Sequence, residues 1–124
     1  MVTTKRLGDE GEARALEHLQ RQGLTLEQRN YRVAAGPGKP GGEWDLILRE
    51  RDGTLVFVEV RRRASGAHGG AAQSIGKSKQ RRLVLAARHF LRRYATPPPC
   101  RFDVVALDGD HLEWLKAAFE VNTP

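Results

Sequence analysis

The chain has one cysteine, Cys100, so no internal disulfide can form, and its four histidines fall at no spacing that resembles a zinc site. No apolar run approaches the roughly 20 residues needed to cross a bilayer. The N-terminus, "MVTTKRLGDEGEARALEHL", turns polar and charged too early for a secretory signal. Together these absences lead us to expect a cytoplasmic protein with no membrane partner. Acidic residues are the minority charge, 15 against 21 lysines and arginines, for a formal net charge of +6. Arginine supplies most of the excess, and its planar fork suits bidentate contacts to phosphate, which favours a polyanionic partner. At 124 residues the chain has the length of one domain with one core, so a single domain over 1–124 is expected.

Two helices and five strands are predicted in the order α-β-β-β-α-β-β, an α/β arrangement. Residues 4–22 carry Glu12, Ala15, Leu16 and Leu19 on one helical stripe, with Gly23 as the stop. A carboxylate thus shares an apolar face. Strands are expected at 24–33, 43–50 and 54–63, the first two separated by the Gly/Pro-rich "AAGPGKPGG". A Gly- and Ala-rich stretch at 64–73 precedes a second helix over 77–95. That helix has Leu83, Ala87, Phe90, Leu91 and Tyr94 as its inner stripe and is closed by Pro97-Pro98-Pro99. A hairpin, "RFDVVAL" and "HLEWL" around "DGD", completes the pattern. One helix between the third and fourth strands implies a mixed sheet, a meander joined to a crossover strand.

The stretch "GEWDLILRERDGTLVFVEVRRR" sets acids inside strands that are otherwise apolar. Residues two apart share a face of a strand, so the turn decides which acids meet. A two-residue turn at Asp52-Gly53 would pair Asp45 with Val60 and part the carboxylates. A three-residue loop, Arg51-Asp52-Gly53 with Gly53 left-handed, pairs Asp45 with Glu59, Glu43 with Arg61, Ile47 with Phe57 and Arg49 with Leu55. This register is the favoured one, because it leaves Trp44, Leu46, Leu48, Val56, Val58 and Val60 as a continuous apolar face for a helix. Directly opposed residues have Cβ atoms about 4.5–5.5 Å apart, so Asp45 and Glu59 could clasp one cation. Oxygen ligands suit magnesium or manganese, which would relieve the repulsion of two carboxylates. The structural alternative is an exposed face of ordinary ion pairs with Arg49, Arg61 and Arg63. It is the better account of Glu43 taken alone, at the start of its strand.

The motifs "GxxGE" at residues 8–12, "RNYR" at 29–32, "GEWDLI" at 42–47, "FVEVRRR" at 57–63, "KQRRL" at 79–83 and "RFDVV" at 101–105 come in the order of the YraN family, which the chain resembles over nearly its whole length. The resemblance implies a restriction-endonuclease-like fold related to Holliday-junction resolvases, and a metal-dependent nuclease activity. In that motif an Asp is followed by Glu-x-Lys. Asp45 and Glu59 match its two acids as catalytic and metal-binding residues, and Glu12 matches the helix-borne acid of resolvase-like members. Glu43 would be an accessory acid. The third motif position holds Arg61 in place of lysine. An arginine can stabilise phosphate charge, but its pKa of about 12.5 or more excludes it as a base. Lys77 or Lys79, at the start of the second helix, could substitute from another backbone position.

Lys77, Arg81, Arg88 and Arg92 line one side of the second helix, and Lys79 and Arg82 broaden the line. Each alone reads as a solvated surface charge. Beside a phosphodiester site they read as a surface that tracks phosphates without reading sequence. Asp103 either supports the site or fixes a sheet edge. His68 is expected in a loop, and Tyr31 either stacks on a base or packs as a strand aromatic. The leading reading is an endonuclease using magnesium or manganese on DNA, with a homodimer compatible. The alternative is a non-catalytic nucleic-acid-binding or scaffold module that kept the fold after losing the lysine, and a third is a protein-interaction role.

Overall fold

The computed structural model describes residues 4–62 and 75–120, with side chains described from residue 8 onward; Arg63, the stretch 64–73 and His68 lie outside the described residues. Helix α1 (Thr4–Arg21) leads into strands β1 (Thr25–Val33), β2 (Gly42–Arg49) and β3 (Leu55–Arg62); helix α2 (Lys77–Leu91) crosses over to β4 (Cys100–Asp108) and β5 (His111–Leu115). The strands form one sheet in the order β1-β2-β3-β4-β5, parallel between β3 and β4 and antiparallel elsewhere. This is the α/β order read from the sequence.

The C-terminal end of α1 and the turn of the β2–β3 hairpin each have a local cause. Gly23 stops α1 at φ 97°, where its N–H donates to Gln20 O at 3.0 Å and the Leu24 N–H donates to Leu19 O at 3.1 Å. The hairpin turns through Arg51-Asp52-Gly53 with Gly53 at φ 95°, a backbone conformation that a side chain would strain. The Gly53 N–H donates to Glu50 O and the Glu50 N–H to Thr54 O, both at 2.9 Å. The register that follows places Ile47 opposite Phe57 and Arg49 opposite Leu55, as the three-residue loop predicts.

Both faces of the sheet are buried. Leu46, Leu48, Val56, Val58, Val105 and Leu107 pack with Ala15 and Leu19 of α1. Ile47, Leu55, Phe57, Phe102 and Val104 pack with Leu83, Ala86, Ala87 and Phe90 of α2. The central strands therefore read as nearly unbroken apolar runs, and the acids among them stand out.

Three expectations are corrected. Strict alternation puts Trp44 with Leu46, but Trp44 lies on the α2 face, stacked on Phe102 at 5.1 Å, with its indole N–H donating to Leu83 O at 2.8 Å. The strand changes face at Asp45. The β1–β2 ladder has no Asn30–Asp45 pair, Asn30 sits at φ 52°, and the β2–β3 ladder ends at Leu46–Val58. Nearby, a Cβ on Gly42 would lie 1.9 Å from Arg82 O, so a glycine there lets the start of β2 press against α2. Because the ladder ends early, Asp45 and Glu59 are not a ladder pair, and Glu43 is not paired with Arg61; Glu43 stands opposite Arg32 on β1 and forms an ion pair with it. Finally, α2 stops at Leu91 rather than residue 95. Its last turn tightens, with Arg92, Arg93 and Tyr94 N–H groups donating three residues back, before the prolines that exclude further helix.

Candidate functional site

Where β2 and β3 part beyond Leu46 and Val58, the hydrogen bonds of the ladder are replaced by a side chain. The Val60 N–H donates to Asp45 Oδ2 at 2.7 Å. Asp45 and Glu59, 8% and 5% exposed, are in direct side-chain contact. Burial, the hydrogen bond to Glu59 and the charge of Glu59 hold the Asp45 carboxyl far above the usual carboxylate range, against the lowering effect of the Val60 N–H. Without a cation, burial and the neighbouring Glu59 favour the protonated form of Asp45.

Glu12 reaches the same place from α1. It contacts Asp45, and burial pushes its carboxyl up, offset by the guanidinium of Arg29 at 3.8 Å. From the other side α2 brings Lys79, whose Nζ lies 2.9 Å from Glu59 Oε2. The pair is close in charge but outside hydrogen-bonding angles, so Glu59 Oε2 is buried with no hydrogen bond, as is Glu12 Oε1.

These groups line a cavity of ≈ 330 Å³ walled by Gly8, Gly11, Glu12, Glu43, Asp45, Glu59, Val60, Arg62 and Lys79. A smaller hollow of ≈ 140 Å³, between Gly41, Gly42, Glu43, Glu59, Lys79, Arg82 and Leu83, adjoins it through the shared Glu43, Glu59 and Lys79. The three carboxyls touch in series with Asp45 in the middle, and among the described residues no three His, Cys, Asp or Glu converge as a ready cation cage. A magnesium-like ion does not need one. It commonly keeps several waters and takes one or two carboxylates, which fits two touching acids and a cavity with room for water.

The structure thus brings together Asp45, Glu59, Glu12 and Glu43, and adds Lys79. Arg61 stands on β3 opposite Ala106 and is not among the residues that line the cavity; Arg62 is. Arg62 was indistinguishable within the run Arg61-Arg62-Arg63, and Gly8 carried no chemical signal beyond its motif. Lys77, Arg81, Arg88 and Arg92 are exposed along α2, whereas Arg82 is half-buried at the small hollow. Asp103 is fully buried away from the acids. It accepts hydrogen bonds from Arg101 Nε, from Trp114 Nε1 at 2.9 Å and from the Ala117 N–H at 2.9 Å, fixing β4, β5 and the segment after them. Tyr31 is a core aromatic whose hydroxyl meets His89 Nδ1 at 2.5 Å.

Fold and site define a class: an α/β protein with a mixed five-stranded sheet between two helices and a buried carboxylate pair where two strands part. Residues 11–107 match the family described as "Uncharacterised protein family UPF0102", and the chain belongs to that family. A UPF0102 protein of Methylibium petroleiphilum is 64% identical over 122 residues, covering 98% of this chain and 100% of the relative. One from Acidovorax sp. is 61% identical, covering 95% and 87%, and one from Cupriavidus taiwanensis 58% identical, covering 93% and 83%. UPF0102 is the YraN family that the motifs resemble. Among the described residues no helix is long and apolar enough to cross a membrane.

Proposed function

We propose that this protein is a restriction-endonuclease-like, metal-dependent nuclease that hydrolyses DNA phosphodiester bonds. The observation that carries the reading is the buried contact of Asp45 with Glu59 at the wall of a cavity of ≈ 330 Å³. Two touching carboxylates are poor packing, and they make chemical sense as ligands of a hard cation. When bound there, magnesium or manganese supplies Lewis acidity, making a water molecule more acidic and offsetting charge on the phosphoryl group.

The chain's own residues do the rest. Asp45 and Glu59 would hold the ion, and the Val60 N–H fixes the Asp45 carboxyl. Glu12 lies at the α1 side of the cavity, where a carboxylate can accept a proton from water. Lys79, beside Glu59, takes the place of the motif lysine: its ammonium positions a phosphate oxygen and opposes the charge that develops on it. Arg62 contributes a second cation to the lining, a task the sequence alone gave to Arg61. Glu43 is tied to Arg32 and shapes the rim. The exposed Lys77, Arg81, Arg88 and Arg92 hold the DNA backbone beside the cavity.

A manganese titration by calorimetry, followed by cleavage assays on plasmid, flap and four-way-junction DNA, tests the proposal. Wild-type protein is expected to bind manganese and nick DNA slowly, and Glu59→Ala to lose both. The second reading, a non-catalytic DNA-binding module, is favoured by Arg61 at the lysine position. Bound metal without cleavage of any substrate, by wild type or by Arg61→Lys, would establish it in place of the enzyme.

A further inference from the structure

Two glycines of α1 line the acid cavity, and among the described residues only one of them has a packing reason to be glycine. A Cβ on Gly11 would lie 3.0 Å from Leu107 Cδ1 and 3.8 Å from Arg62 Nε, so the helix needs a bare position there to approach the sheet. A Cβ on Gly8 would meet nothing within 4 Å. Yet Gly8 is the fifth residue of the helix, past its first turn, where glycine is the poorest helix former after proline. Gly8 and Glu12 are one turn apart on the same face, and both line the cavity with Glu59, which is 5% exposed and has an oxygen without a hydrogen bond.

We propose that the Gly8 surface of α1 is the wall along which the sugar-phosphate backbone of a DNA strand passes to reach Asp45 and Glu59. This rests on the nuclease reading and adds to it a path for the substrate. A strand backbone is broad and needs close contact over several atoms, and a helix surface without a side chain gives it that contact. Lys79 on the facing wall supplies a cation for the phosphate, so the strand lies between bare helix backbone on one side and an ammonium on the other. A Cβ added at position 8, on the cavity wall, meets no described neighbour within 4 Å.

The test uses the full chain with Gly8→Ala, Gly8→Leu and a control, Ala13→Leu, which places the same side chain at an exposed position of α1 outside the cavity. Melting temperature, manganese affinity, anisotropy of a fluorescein-labelled DNA duplex in manganese, and nicking rate are measured on each. Gly8→Ala is expected to raise the melting temperature, because alanine favours the helix. Gly8→Leu is expected to keep manganese affinity within about twofold while weakening DNA binding about tenfold or more and slowing nicking, with Ala13→Leu unchanged in all four. If wild type binds manganese and DNA and Gly8→Leu binds DNA as tightly as wild type, the wall is overturned and the nuclease reading stands. If wild type binds neither metal nor DNA, the nuclease reading falls and the wall with it. A Gly8→Leu protein that loses manganese binding as well would show a disturbed site rather than a blocked path, and would also overturn the proposal.

Discussion

Replacing Asp45 by asparagine should stabilise the metal-free protein at neutral pH, although it removes a ligand. The Asp45 carboxyl is raised from its ordinary value of 3.8 by burial and by Glu59, so the folded protein holds a proton there at pH values where the unfolded chain has released it. The folded state then binds more protons than the unfolded, and stability is full below pH 3.8 and falls as pH rises toward the raised value. One proton gives a slope of at most about 1.4 kcal/mol per pH unit, or about 2.7 kcal/mol between pH 5 and pH 7. For a chain of this length that corresponds to about 8–16 °C in melting temperature. Asparagine copies the protonated acid: its Oδ1 can still accept from the Val60 N–H and its amide can donate to Glu59. Thermal melts in EDTA across this range should show a falling profile for wild type and a flatter one for Asp45→Asn, the difference cancelling all other titrations. Manganese should flatten the wild-type profile, because it favours the ionised acids, and leave the variant unmoved. Parallel profiles for the two proteins in EDTA would refute the argument.

Replacing both Arg81 and Arg88 by alanine should weaken DNA binding and lower the salt slope by up to about 1.8, at about 0.9 per lost phosphate contact; an unchanged slope by anisotropy would remove α2 as the contact surface. Lys79→Met should reduce nicking about 100-fold or more while the protein still binds manganese, since it takes away an electrostatic group and no ligand. Arg61→Lys should increase nicking far less than Lys79→Met reduces it, because Arg61 does not line the cavity; a large gain would return the motif position to the centre of the reaction. Arg101→Met should destabilise by about 2–3 kcal/mol in urea melts, leaving the fully buried Asp103 without its cation but with the Trp114 and Ala117 donors.

The sequence determined the parts of this protein that depend on spacing and turn chemistry. Gly53 after Arg51-Asp52 selects the loop length, the loop length sets the register, and the register opposes Ile47 to Phe57 and Arg49 to Leu55. Gly23 likewise ends α1, and the periodic apolar residues of both helices name the faces that pack. Only the tertiary structure decided what surrounds the acids. Alternation gives the parity of a strand residue, but it does not say where a ladder stops. The end of pairing after Leu46–Val58 frees Glu43 from Arg61, turns Trp44 to the α2 face and hands the Val60 N–H to Asp45. The approach of Lys79 to Glu59 joins a helix and a strand that are distant along the chain, so no local pattern predicts it over Lys77. The bare wall at Gly8 is equally invisible in sequence, because a glycine needed for packing and one left open to a cavity are the same letter until the neighbours of the missing Cβ are known.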